Sequence, residues 1–494
     1  MKHTKRILAM VMTVIMVLSL ATTAFAAGNS ITINGKEGHT YEVYQIFTGD
    51  LSGNTLSNIV WGDGVTTAGQ TALGDAATVA AGLTAGNIKK FQADIDQYLT
   101  NGQTMTASGS TYTLDNLDAG YYLIKDKDNT QEGDDGAYTA YIIQVVGEVN
   151  MNPKDSVPTV DKSVTEQGKN ADDFEIGDTV TFILKATLGD HLDEYKKYQV
   201  TFHDTMSDGL TFKEYVSATL DGTDVKANFE MQQSGQKLTF SCDDIIALGA
   251  AAGNTIIITY TATLNANADI GNPGNSNKVK LEYSNDPNWD ADGDGNPDNP
   301  NEPDEPTGET PEDEVMVFTY ELDVTKVDGA DHDEKLQGAE FVLLNSDMSK
   351  VATVVDGKLT GWINVPGVDE PWPANTTLTS DSNGLFKIIG LDAGTYYLKE
   401  TQAPAGYNLL TNPVEMEIVA TITDTEETQE VTKLTINDVE GDHTTGVVEA
   451  TVENNAGTVL PETGGMGTTL FYAFGSVMVL CAVVLLVTKK RMAA

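Results

Sequence analysis

Leu391-Asp392-Ala393-Gly394-Thr395-Tyr396-Tyr397-Leu398-Lys399-Glu400 reads as a Gly-marked turn entering a strand, with Tyr396, Leu398 and Glu400 on one face. A near copy, Leu117-Asp118-Ala119-Gly120-Tyr121-Tyr122-Leu123-Ile124-Lys125-Asp126, stands far upstream, so two parts of the chain are versions of one module. Outward from these copies the Val-, Ile-, Thr- and Tyr-rich segments Tyr138–Val146, Thr179–Ala186, Thr255–Leu264, Tyr320–Val327 and Val447–Asn454 read as strands bounded by Gly, Asn and Asp turns. Helix is sparse; the spacing of Ile88, Phe91, Ile95 and Tyr98 predicts one over Asn87–Leu99. The class is all-β, in three tandem immunoglobulin-like β-sandwich domains, since 494 residues exceed what one core holds.

The ends and breaks divide the chain. Lys2, Lys5 and Arg6, an apolar run from Ile7 and Ala24-Phe25-Ala26 predict a cleaved signal peptide over 1–26. The Pro-marked stretch from Met151 to Pro158 and the Asp-, Asn- and Pro-rich stretch from Ser284 to Glu314 separate domains expected at 27–152, 153–314 and 315–459. Residues 468 to 487 are almost wholly apolar and are followed by Lys489-Lys490-Arg491, the pattern of a membrane-spanning helix inside a terminal segment 460–494.

Six of the 29 basic residues and none of the 73 acidic ones lie before Ala27 or after Thr463, so a mature chain cut at those points carries a formal charge of about −50. Such a surface repels nucleic acid and anionic membrane. Cys242 and Cys481 cannot form an intramolecular disulfide, because Cys481 lies in the apolar span; something else must stabilise an exported chain. Cys242 reads as a small buried hydrophobe. No G-x-S-x-G, H-E-x-x-H or P-loop pattern occurs and the six histidines are scattered, so an enzyme acting on an external substrate has no support. Asp290, Asp292 and Asp294 copy the first half of a calcium loop, but its twelfth position is Asn301 rather than a bidentate Glu. Calcium binding and a solvated acidic linker both fit that stretch.

Leu460-Pro461-Glu462-Thr463-Gly464, the apolar span and the basic tail form a three-part signal in fixed order. Here the sequence resembles substrates of sortase, the transpeptidase of Gram-positive bacteria. The resemblance implies cleavage between Thr463 and Gly464, a thioester on Thr463, and attack by an amine. Asn152-Pro153-Lys154 resembles the pilin motif of sortase-assembled pili, with Asn152 where that motif often has an aromatic, and it makes Lys154 the expected polymerisation lysine. Proline denies the linker a sheet bond and holds it extended. The expected partners are a pilus-specific sortase, identical subunits, minor pilins, and a housekeeping sortase that attaches the polymer to cell-wall peptidoglycan. The rival readings are a monomeric wall-anchored adhesin and a minor pilin.

Six polar residues fall in phase with apolar neighbours. Lys162 follows Val160, Asp204 follows Phe202, Asn277 leads Val279, Lys326 follows Val324, Glu400 follows Leu398 and Asn454 follows Val452. A buried charge needs a partner or a shifted pKa. Lysine, carboxylate and asparagine occur in that order in each of the last two domains, which suggests a self-made isopeptide bond. In such a bond a neutral lysine amine attacks an asparagine amide polarised by a protonated acid, with no cofactor. The pattern resembles the isopeptide-bonded collagen-adhesin B-type domains. That resemblance makes Glu400 a catalytic acid and Lys326–Asn454 a bonded pair, with Asn437 an alternative acceptor; on a looser pattern, the same trio in the middle domain makes Asp204 the acid and Lys162–Asn277 the pair. The first domain has Asp126 for the glutamate, no lysine on Ile31–Asn34 and no asparagine on Tyr138–Val149, so no bond is expected there.

Overall fold

The computed structural model describes residues 28–457 except 36, 84–87, 128–138, 153–155, 166, 288–306 and 368–369, together with 477–479 and 482. The expected signal peptide, Lys154, the acidic loop with Asp290, Asp292 and Asp294, and Leu460-Pro461-Glu462-Thr463-Gly464 lie outside the described residues, as does most of the expected membrane span. Among the described residues no helix is long and apolar enough to cross a membrane.

Strands alternate as their side-chain period requires. In Thr255–Leu264 the residues Ile256, Ile258, Tyr260, Ala262 and Leu264 are fully buried, while their neighbours are only partly so. The first domain packs a sheet ordered Thr106–Ser108, Thr111–Leu117, Asn29–Asn34, Glu148–Met151 against one ordered Thr55–Trp61, Tyr41–Ser52, Gly120–Asp126, Ala140–Val145. Ile31, Ile33, Tyr41, Val43, Tyr122 and Ile124 fill the space between. The outer face of the second sheet is covered by helices Thr67–Leu73, Ala76–Gly82 and Ile88–Asp96, which bury Ile46, Phe47, Phe91 and Ile95. Only the last of these helices was expected. The first two are short, rich in Ala, Thr and Gly, and held by caps from Thr66 and Asp75 rather than by an apolar stripe.

The middle domain packs a sheet ordered Thr159–Val164, Thr179–Thr187, Thr255–Leu264, Leu210–Leu220, Thr223–Asp224 against a sheet ordered Ala171–Asp173, Asp313–Phe318, Asn275–Ser284, Val200–Met206, Lys237–Cys242, Glu230–Ser234. The expected boundary at 314/315 falls inside Asp313–Phe318. Val315 and Val317 of that strand belong to the middle core, and Phe318 opens the third. In the third domain one sheet runs from Val439–Glu440 through Gly394–Gln402 to Tyr320–Asp328 and Val447–Asn454. Cys242 is buried and unbonded.

The middle and third domains are docked through paired polar groups. Asp424 Oδ1 accepts from the amides of Asn170 (2.6 Å) and Ala171 (3.0 Å), and the Asn272 carboxamide exchanges hydrogen bonds of 2.9 Å with the Val431 backbone. Gly271 and Gly446, both at positive φ, bring two backbones so close that a Cβ on Gly271 would lie 2.3 Å from the Gly446 nitrogen. Glu175 accepts from Trp362 Nε1 at 2.6 Å and from the Tyr396 hydroxyl at 2.8 Å, and the same hydroxyl lies 2.5 Å from Asp392 Oδ1. Tyr396 has one proton for two carboxyl groups, so the second contact needs a proton on a carboxyl. Burial, reinforced by the charges of Glu175, Asp173 and Asp178, pushes Asp392 up to about 7. Burial also raises Glu175, and it raises Asp173, whose Oδ2 accepts from Ala393 N and which Lys169 pulls back down. Tyr320 faces Asp173, and Asp172 lies close by. Here the folded state binds a proton that the unfolded chain releases near its ordinary carboxyl value. Stability is therefore full below about pH 4, falls as pH rises through about 7, and is level above that. Calorimetry of the whole chain should show the melting temperature of the docked pair falling between about pH 4 and pH 7, and Asp392→Asn should flatten that slope. An unchanged slope in the variant would assign the proton elsewhere.

Candidate functional site

Lys162 sits on Thr159–Val164, the edge strand of the five-stranded middle sheet, with its side chain turned into the core. Asp204 and Asn277 lie on Val200–Met206 and Asn275–Ser284, neighbours in the opposite sheet. Register places Asp204 across from Val279 and Met206 across from Asn277, so Asp204 and Asn277 are diagonal neighbours on one buried face. Lys162 Nζ donates to Asp204 Oδ2, and the Lys162 backbone amide to the Asp313 carboxylate. The amine stands 5.5 Å from the centre of the Phe182 ring and 5.8 Å from that of Tyr260. Burial pushes the amine below the ordinary lysine range, with Asp204 pulling it back up, and burial pushes Asp204 above the ordinary carboxyl range against the pull of Lys162. The Tyr260 hydroxyl joins the other two members: it donates to Asp204 Oδ1 at 2.8 Å and accepts from Asn277 Nδ2 at 2.6 Å.

In the third domain Lys326 and Asn454 come from adjacent parallel strands, Tyr320–Asp328 and Val447–Asn454, where Lys326 faces Val452 and Asp328 faces Asn454. Both side chains are fully buried. Lys326 Nζ donates to the carbonyls of Val452 (2.9 Å) and Val327 (3.3 Å). Glu400, reaching in from Gly394–Gln402, accepts from Asn454 Nδ2 at 3.1 Å and from Leu410 N at 2.8 Å. Burial lowers the Lys326 amine to about 8, with the Glu400 charge opposing the shift. Asn277 Oδ1, Asn454 Oδ1 and Glu400 Oε1 are buried without a hydrogen-bond partner. Orphaned polar atoms of this kind lower stability, so the clusters are poor stabilising devices as they stand. Chemically, each sets an amine shifted toward its neutral, nucleophilic form beside a carboxamide that a carboxyl group can polarise.

Asn437, the alternative acceptor, is exposed at positive φ and is engaged with the backbone of Glu415 and Glu417. The first domain replaces the cluster. Asp126, at the position corresponding to Glu400, accepts from the Thr139 amide (2.8 Å) and hydroxyl (2.9 Å) and lies 2.7 Å from His39 Nδ1. His39 carried no sequence signal, because it precedes its strand. Among the described residues no group of His, Cys, Asp and Glu is arranged to hold a metal ion.

Three family models match parts of the chain: a SpaA prealbumin-like fold domain over residues 320–438, a Gram-positive pilin backbone subunit 2, Cna-B-like domain over 176–287, and an LPXTG cell wall anchor motif over 452–493. The chain is similar to the trypsin-resistant surface T6 protein of Streptococcus pyogenes serotype M6, with 25% identity covering 93% of this chain and 94% of that one. Its fold is similar to the T6 backbone pilin of serotype M6 Streptococcus pyogenes, with a TM-score of 0.57, 19% identity, and coverage of 89% of this chain and all of that one. It is likewise similar to the full-length major pilin SpaD from Corynebacterium diphtheriae, with a TM-score of 0.51, 19% identity and the same coverage.

The His39–Asp126 pair gives a separate test of the first domain. Asp126→Ala leaves the His39 ring and the Thr139 amide buried without their partner and should cost about 1–3 kcal/mol in urea denaturation; a loss near zero would mean that water replaces the carboxylate.

Proposed function

We infer that this chain, which belongs to the Gram-positive backbone pilins and carries their LPXTG cell-wall anchor, is a shaft subunit joined to its neighbours through Thr463 and Lys154. A pilus-specific sortase breaks the Thr463–Gly464 amide and holds Thr463 as a thioester. The Lys154 amine of the next subunit attacks that thioester, so one amide replaces another and the enzyme's thiol is released. A housekeeping sortase then transfers the finished polymer to peptidoglycan, and minor pilins complete the assembly. Lys154 lies outside the described residues. It falls between Glu148–Met151, a strand of the first domain, and Thr159–Val164, the first strand of the middle one, and the flanking Asn152 and Ser156 are exposed.

The observation that carries the reading is the burial of a complete lysine–carboxyl–asparagine cluster in each of two successive sandwiches. Lys162 Nζ attacks the Asn277 carboxamide carbon and Lys326 Nζ that of Asn454. In each case the carbon–nitrogen bond to Nδ2 breaks and ammonia leaves, with Asp204 or Glu400 as the acid. A cross-link closing a loop of more than 100 residues contributes roughly 4–5 kcal/mol by the loop-entropy argument used for disulfides. The middle bond would join the two sheets of its sandwich, and the third would join the first strand of its domain to the last. Pulling force then runs through covalent bonds, and reducing conditions cannot break them. Calcium is not needed for this chemistry; its candidate ligands Asp290, Asp292 and Asp294 are confined to the connection between strands, where calorimetry with calcium and a chelator tests them.

Boiled cell-wall extracts should show a high-mass ladder on immunoblots that disappears in a Lys154→Ala strain. A surviving ladder would move the acceptor lysine elsewhere, and a single band in both strains would leave a wall-anchored monomer. The intact mass of the purified chain should lie below the sequence mass by about 17 Da for each ammonia lost. Glu400→Ala should restore one such increment and lower the melting temperature; an unshifted wild-type mass would sink both internal bonds.

A further inference from the structure

Asp204 and Glu400 occupy corresponding roles, yet they reach their asparagines differently. Glu400 Oε2 touches Asn454 Nδ2 directly at 3.1 Å. Asp204 is one methylene shorter and stands diagonally across the strand pair from Asn277, and between them lies the Tyr260 hydroxyl, 2.8 Å from Asp204 Oδ1 and 2.6 Å from Asn277 Nδ2. Tyr260 comes from the opposite sheet. Its ring is locked by stacking on Phe182 (5.3 Å) and Phe240 (5.8 Å), which leaves the hydroxyl little freedom. It is fully buried, and burial together with the neighbouring Asp204 holds its proton on.

We propose that Tyr260 is a catalytic residue of the middle-domain cross-link, relaying the proton of Asp204 to the departing nitrogen of Asn277. This rests on the cross-link inferred above. The neutral Lys162 amine adds to the Asn277 carboxamide carbon while Asp204 holds its proton. As the carbon–nitrogen bond breaks, Nδ2 gains a lone pair, and Tyr260 turns from accepting a hydrogen bond to donating its proton there. The resulting phenolate takes the proton held by Asp204. Ammonia leaves with three hydrogens, two from the asparagine amide and one from Tyr260; the carboxylate left on Asp204 then takes the surplus proton of the Lys162 nitrogen, so Tyr260 and Asp204 both return to their starting states. In the third domain no hydroxyl is needed, since the longer Glu400 touches the leaving nitrogen itself.

The test is peptide mapping of the pulse-labelled whole chain, following the cross-linked peptides at Lys162–Asn277 and Lys326–Asn454 over time. Tyr260→Phe keeps the ring stack and removes only the hydroxyl. The first cross-link should form about a hundredfold more slowly, the usual scale for losing general acid–base help, while the second forms at the wild-type rate. Adding Asp204→Glu to Tyr260→Phe supplies the missing methylene and should restore much of the rate. Wild-type kinetics in Tyr260→Phe would overturn the relay. A slow Tyr260→Phe that Asp204→Glu does not rescue would also overturn it, reducing Tyr260 to a packing role. A wild-type chain with no Lys162–Asn277 cross-link would instead remove the middle-domain bond on which the proposal stands.

Discussion

A lysine amine held out of water inside a β-sandwich is the constraint around which the middle and third domains are arranged. Desolvating an ammonium costs far more than one ion pair returns unless the geometry is close to ideal. Lys162 and Lys326 are nevertheless fully buried as side chains, one walled by Phe182 and Tyr260 and the other bonded only to backbone carbonyls. The core lowers this cost by shifting the amines toward their neutral form. That shift also favours their nucleophilic form, so the feature that weakens the resting fold is the one the proposed cross-links would use.

The two domains solve the same geometric problem with different parts. In the middle domain the lysine and asparagine lie on facing sheets, the acid is an aspartate, and a tyrosine spans the remaining gap. In the third they lie on adjacent parallel strands and a glutamate reaches across alone. Between them, a polar interface with one more acceptor than its tyrosine can satisfy ties the sandwiches together. Tension passed from the middle domain to the third crosses this interface, so its polar pairs lie in series with the two buried clusters.

Much of this was legible in strand phase. Lys326, Glu400 and Asn454 each occupy a position where the period of two demands an apolar residue, and burial follows that prediction. Tyr260 was invisible for the opposite reason: in phase with Ile258 and Ala262 it reads as one more core aromatic, and nothing in its neighbours reveals where the hydroxyl points. The helices over Thr67–Leu73 and Ala76–Gly82 were missed because their small residues make no apolar stripe. The boundary placed before Val315 was early because a strand feeding two cores reads as a continuous apolar run.

By itself the sequence determined the all-β class, the repeat, the sorting signal and the six polar residues that belong inside, because alternation and short motifs are local and survive without coordinates. Only the tertiary structure decided which of those residues meet. Lys162 and Asn277 stand far apart in the chain and on different sheets, and their approach depends on how two twisted sheets face each other. Tyr260 enters the cluster, and Asp392 shares the Tyr396 hydroxyl with Glu175, for the same reason: side chains from separate strands converge in a space that strand periodicity cannot describe.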